Sequence, residues 1–347
     1  MNKCYSINWN VTGECNLKCK HCFAAASKKM SKELSTEEGI SLLKQIRKTF
    51  GKIKVTIGNA EPLMRKDILK FVTCGSKLGL FMAIATNGTL FSEEMAKRLK
   101  RAGLKEVDLP IDGIRKTHDK IRGKGTFDKV LKAAKFAGKE KINIVINSCI
   151  SNINEKELPQ ILDISKKIGA KRCEIFHYIS MGRGLEKLPR AELNEEQYVK
   201  NLFQIYEEQK QRKNLEIYLT TACQYWVILN EKFKNGDFVP EYFSKMVPGC
   251  GAGISMFTVK PDGNVAPCPM LDVFVGNIRK TSLKKLWRDT ETFKKLRLRN
   301  VKGKCAICKY KDICMGCRVR AFIRYNDFLE EDPLCGFFEP YKRRVSL

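Results

Sequence analysis

Over its first 180 or so residues the chain alternates short apolar runs with helical patterns, and this alternation constrains the fold more than any other feature. Residues 5–11, 53–57, 80–85, 106–111, 142–150 and 173–179 read as strands. Helical patterns lie between them at 67–78, 92–102, 127–137 and 155–168. Another starts at Ser35-Thr-Glu-Glu38, a capping box ahead of Ile40, Leu42, Leu43 and Ile46. Six βα units predict parallel strands with right-handed crossovers, and a ligand at the strands' C-terminal edge. A complete eightfold barrel is disfavoured, because the alternation stops near residue 180. Residues 195–213 read as a long polar helix, followed by a strand at 215–219 and a helix through Trp226, which together look like a bridge. Beyond Cys250 long helices give way to cysteines and a hairpin, 257–260 with 264–267, turning at Pro261-Asp-Gly263. Three segments are expected: 1–185, 186–245 and 246–347.

Directly after the first strand stand Cys15, Cys19 and Cys22, spaced x3 and x2. Three thiolates within eight residues suit three corners of an iron-sulfur cubane, whose fourth iron is left open for a small molecule to bind and react. A zinc knuckle or plain buried thiols are the bland alternatives. A second constellation runs Cys250-x12-Gly263-x4-Cys268, then Cys305-x2-Cys308-x5-Cys314-x2-Cys317, then Cys335.

Composition narrows the choice. The chain has 347 residues, 43% of them hydrophobic, which is enough for a core and about two domains. No apolar run approaches the ~18 residues needed to cross a bilayer, and the N-terminus lacks a signal-peptide pattern, so a cytoplasmic protein is expected. Disulfide scaffolds are short and secreted, so the fifteen cysteines read as reduced and mostly metal-bound, and three histidines leave thiolate clusters favoured over a His-rich site. A net charge of +27 favours anionic partners such as nucleic acid, an acidic peptide or a polycarboxylate. The densest basic run, residues 279–304, reads as the solvated face of helices built on Leu283, Trp287, Phe293 and Leu296.

The strand followed by C-x3-C-x2-C resembles the radical S-adenosylmethionine (SAM) superfamily, and the resemblance runs through most of the chain. It implies a partial (β/α)6 barrel and a [4Fe-4S] cluster on Cys15, Cys19 and Cys22. The open iron of such a cluster chelates SAM, which is cleaved reductively to a 5′-deoxyadenosyl radical that abstracts hydrogen from a substrate. His21 stands where the family usually has an aromatic residue. Gly58-Asn-Ala-Glu61-Pro62 is similar to the family's Gly-Gly-Glu-Pro, with Asn59 and Ala60 replacing the two glycines; Glu61 is assigned to the ammonium side of SAM. Thr86-Asn87-Gly88 resembles the T-N-G turn near SAM, and Asp112-Gly113 with Arg122-Gly123 resembles its D-G and R-G. Pro110 stands where a serine often meets the SAM carboxylate, which makes Arg122 the candidate for that contact. Asn147, Tyr178 and the Gly182-Arg183-Gly184 turn are further candidates for SAM or substrate.

The second constellation resembles the SPASM domain behind radical SAM cores that modify peptides and peptide-derived or tetrapyrrole cofactors, with x2 in place of the usual x3 between Cys314 and Cys317. The resemblance implies two auxiliary [4Fe-4S] clusters, one on Cys305, Cys308, Cys314 and Cys335, the other on Cys250, Cys268 and Cys317. The latter lacks an obvious fourth ligand nearby; an open iron or a distant residue such as Cys223 would complete it. Cys4, Cys74, Cys149, Cys173 and Cys223 read otherwise as buried thiols. The implied protein is an oxidoreductase or maturase that takes an anionic small-molecule or peptide substrate and electrons from a ferredoxin or flavodoxin. Pro269, where sulfatase-maturing relatives carry aspartate, argues against that activity. Haem, tungsten-enzyme, pyrroloquinoline quinone and mycofactocin maturases remain open. The competing classes are a zinc-ribbon nucleic-acid binder, which leaves Cys15, Cys19 and Cys22 unexplained, and an iron-sulfur electron carrier without SAM chemistry.

Overall fold

The computed structural model describes residues 4–212 and 214–336. The ends of the predicted first and third segments, and the last residue of the predicted 195–213 helix, lie outside the described residues. Six strands and their crossovers follow the predicted alternation: β1 (Ser6–Trp9), α1 (Thr36–Phe50), β2 (Lys54–Ile57), α2 (Ile68–Lys77), β3 (Phe81–Ala85), α3 (Glu93–Ala102), β4 (Glu106–Pro110), α4 (Arg115–Arg122), α5 (Thr126–Lys139), β5 (Asn143–Ile150), α6 (Leu158–Lys167) and β6 (Arg172–His177). Neighbouring strands pair in parallel from β1 through β6. The Ser35 capping box starts α1 as expected, with the Glu38 amide donating to Ser35 Oγ at 3.2 Å and the Ser35 amide to Glu38 Oε2 at 2.8 Å. Helix α4 was not foreseen: of its eight mostly polar residues only His118 and Ile121 are buried, too few to make a periodic apolar stripe.

Where the sequence alternation ends, the sheet does not. After α7 (Gly184–Lys187) and α8 (Glu195–Gln211), β7 (Glu216–Thr220) pairs in parallel with β6 before α9 (Tyr225–Lys234). The stretch expected to be a bridge therefore supplies a seventh parallel strand. β8 (Met256–Val259) pairs in parallel with β1, and β9 (Asn264–Ala266) and β10 (Gly276–Asn277) continue antiparallel. The resulting ten-stranded sheet, in the order β10-β9-β8-β1-β2-β3-β4-β5-β6-β7, is open.

The strands' period of two sorts their side chains. Ile7, Trp9, Val55, Ile57, Val107, Leu109, Ile144 and Ile146 are buried on one face, where Trp9 meets Phe71 of α2 at 4.7 Å between ring centroids. The other face is polar. Lys54, Glu106, Asp108, Arg172, Glu174 and Glu216 occupy its floor, joined by Arg172 to Glu174 at 2.8 Å and Lys54 to Glu106 at 2.5 Å. The helices α10 (Leu283–Asp289), α11 (Glu291–Arg297), α12 (Gly303–Ala306) and α13 (Arg318–Tyr325) follow. Leu283, Leu286, Trp287, Phe293 and Leu296 are buried, and Trp287 packs edge-on to Phe50 of α1 at 5.7 Å. The basic run is thus the outer side of a packed helix pair. Arg279 reaches Glu38 at 2.6 Å, and Arg297 lies over Trp287 at 4.1 Å.

Candidate metal and cofactor centres

All fifteen cysteines are free thiols. Cys15, Cys19 and Cys22 ride on the loop that leaves β1 at the C-terminal edge of the sheet, where parallel strands expose their ligand side. Four distant groups fix that loop. Glu33 Oε1 accepts from the amides of Gly13 and Met30 at 2.8 and 2.9 Å. The Lys20 amide donates to the Ile121 carbonyl at the end of α4 at 2.9 Å. Arg183 donates to the carbonyls of Cys19 at 3.0 Å and Ala26 at 2.7 Å, while its amide donates to the Cys22 carbonyl at 3.0 Å. Beside it Gly182, at φ +54°, lies so close that a β-carbon would stand 2.2 Å from the Phe23 carbonyl oxygen.

The fourth anchor is Asp112, fully buried at the end of β4. Its Oδ2 takes Arg122 Nε at 2.5 Å and His21 Nε2 at 3.1 Å, and its Oδ1 takes the Cys149 amide at 2.9 Å. Burial opposes the charge, but Arg122 and then His21 hold the carboxyl well below the usual range. Arg122 and Asp112 thus form a buried ion pair tied to the cysteine loop through His21.

Glu61 is equally buried, and three protein donors use its carboxylate: the Leu63 amide at 3.0 Å, Thr86 Oγ1 at 2.7 Å and the Asn87 amide at 2.8 Å. Burial pushes its carboxyl up to about 7 despite those bonds. It holds the Thr86-Asn87-Gly88 turn, and Asn87 Nδ2 points to Cys15 Sγ at 3.8 Å and to Asn16 Oδ1 at 2.8 Å. Asn59, in the position of a family glycine, keeps a glycine-like φ of +70° and contacts Asn10; asparagine tolerates that region better than most residues. Asn147 Oδ1 is buried and has no protein partner, so an acceptor on the polar face is left for a ligand donor. Three thiols in one fixed loop, with an unfilled acceptor on the same polar face, fit a cubane with one open iron and a polar small molecule beside it.

The second set is gathered from greater distances. Cys305, Cys308, Cys314 and Cys335 line a single cavity. Amides point at their sulfurs, from Tyr310 to Cys308 at 3.4 Å and from Gly316 to Cys314 at 3.3 Å. Cys250, Cys268 and Cys317 are near enough to act electrostatically on one another. The shortened x2 spacing is accommodated by left-handed φ angles at both Met315 (+64°) and Gly316 (+67°), which turn the chain sharply between Cys314 and Cys317. Four thiols around one cavity and three more beside them are the donor chemistry that thiolate-ligated clusters require.

Sequence reasoning missed two groups. One is the charged floor, signalled only by charges at alternate positions of otherwise apolar strands; burial pushes the Asp108 carboxyl there up to about 8, against the pull of Lys54. The other is Asp332, buried behind the auxiliary cysteines. It receives Arg320 through two bonds of 2.7 and 2.8 Å, the Cys317 amide at 2.7 Å and Gln224 Nε2 at 2.9 Å.

Family models match at residues 9–164, for the radical SAM superfamily, and at residues 250–318, for the SPASM iron-sulfur cluster-binding domain. Across 97% of both chains the protein is 33% identical to an AdoMet-dependent heme synthase of Methanosarcina barkeri. It is also 33% identical to an Fe-coproporphyrin III synthase of the same organism, over 95% of this chain and 87% of that one. SuiB of Streptococcus suis bound to S-adenosylmethionine superposes with a TM-score of 0.77 at 20% identity, covering 96% of this chain and 77% of that one.

Proposed function

We infer the activity from one premise: the chain belongs to the radical SAM superfamily, in the branch that carries a SPASM domain. It is an enzyme of the kind that uses SAM and [4Fe-4S] clusters on tetrapyrrole or peptide substrates. The zinc-ribbon reading and the SAM-free electron carrier fall with that assignment. Among the described residues no helix is long and apolar enough to cross a membrane.

Cys15, Cys19 and Cys22 would hold the SAM-binding cluster, and Cys305, Cys308, Cys314 and Cys335 an auxiliary one. When bound, cluster and SAM supply a 5′-deoxyadenosyl radical that takes hydrogen from the substrate. The chain's own part is positional. Arg183 and Asp112 lock the loop that carries the three thiols at the C-terminal edge of the sheet. Asn147 Oδ1 is placed to accept a bond from SAM. Glu61 acts beneath the turn it holds, with its oxygens used by the protein, and Asn87 touches the loop from that turn. Arg122, assigned to the SAM carboxylate by resemblance, spends its Nε on Asp112 and keeps the remaining guanidinium for a ligand. Electrons would come from a ferredoxin or flavodoxin.

For the substrate we place the protein with tetrapyrrole enzymes. The observation that carries this is end-to-end likeness, at 33% identity over 97% of both chains, to a heme synthase. A carboxylate-bearing tetrapyrrole also suits a chain of net charge +27. The test is anaerobic turnover of the reconstituted enzyme with SAM, dithionite and iron coproporphyrin III, read by mass spectrometry. Release of 5′-deoxyadenosine should rise with the tetrapyrrole, together with a mass change in it; release indifferent to the tetrapyrrole would sink the assignment.

A further inference from the structure

The Cys250, Cys268 and Cys317 group has three thiols where a closed cubane takes four. We infer that Cys223, on the loop between β7 and α9, supplies the fourth thiolate, so that this auxiliary cluster is closed and offers no iron to substrate. The inference rests on the reading of two auxiliary clusters given above.

Spacing alone leaves Cys223 as one of two ways to complete the set, since it precedes the cysteine-rich segment and lies in the stretch expected to be a bridge. The fold brings it in. Because β7 joins the parallel sheet, the loop at its C-terminal end is carried to the edge where the auxiliary cysteines gather. Cys223 is buried there, with its thiol hydrogen-bonded to that of Cys250 and within electrostatic reach of Cys317 and, more weakly, of Cys314. Cys250 is in turn beside Cys268 and Cys317. All four therefore meet around Cys250.

The loop is also built for the purpose from both sides. Thr221 is held at φ +59°, a costly conformation for a β-branched residue, and its hydroxyl accepts from the His177 amide at 2.9 Å. Its carbonyl receives Arg320 Nη1 at 2.7 Å. Gln224 donates to Asp332 at 2.9 Å and to the Leu334 carbonyl at 2.9 Å, and receives Tyr198 Oη at 2.7 Å. The residues either side of Ala222-Cys223 are thus bound to the segments that carry Cys317 and Cys335. None of the other spare thiols has an auxiliary cysteine among the groups that act on it, Cys74 lying beside Lys44 and Lys77. Cys4 donates to the Ser6 carbonyl, Cys149 lies against Asp112 and Arg122, and Cys173 against Ser165. A closed cluster can pass an electron but not bind substrate, and this one would also pin the barrel to the auxiliary domain.

The test uses the full chain with Cys15, Cys19 and Cys22 replaced by Ala, leaving only auxiliary iron. This parent is compared with Cys223→Ala and Cys223→Ser by iron content and by EPR of the reduced protein, with and without cyanide as a probe for an open iron. The parent should carry about eight irons and ignore cyanide. Cys223→Ala should either lose about four of them or show a shifted, cyanide-sensitive signal, and Cys223→Ser should keep its iron with a shifted signal. Cys173→Ala should match the parent. A parent signal already moved by cyanide, or Cys223 variants identical to the parent, would overturn the inference while leaving two auxiliary clusters in place. A parent with only about four irons would overturn the two-cluster reading itself, and the inference with it. If Cys223→Ala does not fold, the parent's response to cyanide and the Cys223→Ser spectrum still decide.

Discussion

The two cysteine regions solve opposite problems. The first draws three thiols from eight consecutive residues and then needs the rest of the barrel to hold the loop still. The second draws its thiols from segments spread between residues 250 and 335, so the fold itself must assemble the set, around Asp332 and Arg320. A local set can leave one iron open because nothing else need approach it. A dispersed set is convergent by construction and tends towards closure. On the proposal made above, the open iron belongs to the local set, which gives bond-breaking to the first region and electron handling to the second.

The largest effect that would break this comparison comes from the local set. Replacing Cys15, Cys19 and Cys22 together by Ala should abolish 5′-deoxyadenosine formation while about two-thirds of the iron, eight of about twelve atoms, remains. Undiminished SAM cleavage would end the division of labour. Next is the clamp. Arg183→Ala removes two bonds to the loop, one of them to the backbone carbonyl of Cys19, while leaving every proposed ligand in place, so SAM cleavage should fall by about 10- to 100-fold, as for groups that orient a metal site's ligands. The auxiliary EPR signals should not move. If they do, the two regions are mechanically coupled and the comparison is too simple.

The same contrast explains what was legible. The strands, the capping box and the cysteine spacings are local patterns, and they were read with nearly the right limits; the structure gives Ser6–Trp9 where 5–11 was expected, and Glu106–Pro110 where 106–111 was. β7 as the seventh parallel strand and β8 as a parallel neighbour of β1 depend on pairing across as many as 250 residues, for which no window of sequence holds a signal. The clamp was half legible. Gly182-Arg183-Gly184 was placed at the right edge, but its bonds to Cys19 and Ala26 cross more than 150 residues. Asp332 was invisible for the same reason, since its role exists only once Gln224, Cys317 and Arg320 have met.

Two buried aspartates carry the comparison into pH. On the barrel floor burial raises Asp108 to about 8, so between about pH 4 and 8 the folded protein holds a proton that the unfolded chain has lost. Its contribution to stability therefore falls as pH rises through that window, by at most about 1.4 kcal/mol per pH unit. At the auxiliary hub burial also opposes the charge of Asp332, but Arg320 prevails and lowers it, so its contribution is present above about pH 4 and is lost as pH falls below that. Asp108→Asn should flatten the difference in urea midpoint between pH 5 and pH 8 for the metal-free protein. A variant whose midpoints run parallel to the parent's would show that Asp108 is ionised in the fold.

The smallest effect concerns how ligands arrive. The loop bearing Cys15, Cys19 and Cys22 also exposes Lys18, Lys28, Lys29 and Lys32, whereas in the basic run at 279–304 Arg279, Arg288, Lys294 and Lys302 already have acidic partners. Net charge alone would spread attraction over the whole surface, but lysines with no ion-pair partner among the described residues at this loop would concentrate it beside the proposed active site. Exposed contacts of this kind are screened beyond a Debye length of about 8 Å at physiological ionic strength. A carboxylate-rich substrate should therefore lose several-fold in apparent affinity between low and physiological salt. Substrate-free SAM cleavage should barely change, because chelation to an iron inside the barrel does not depend on long-range attraction. Reversing Lys28 and Lys29 to Glu should remove most of that salt dependence, whereas reversing Lys284 and Lys285 on α10 should leave it. Equal losses from the two pairs would mean that the charge acts as a uniform field rather than as an entrance.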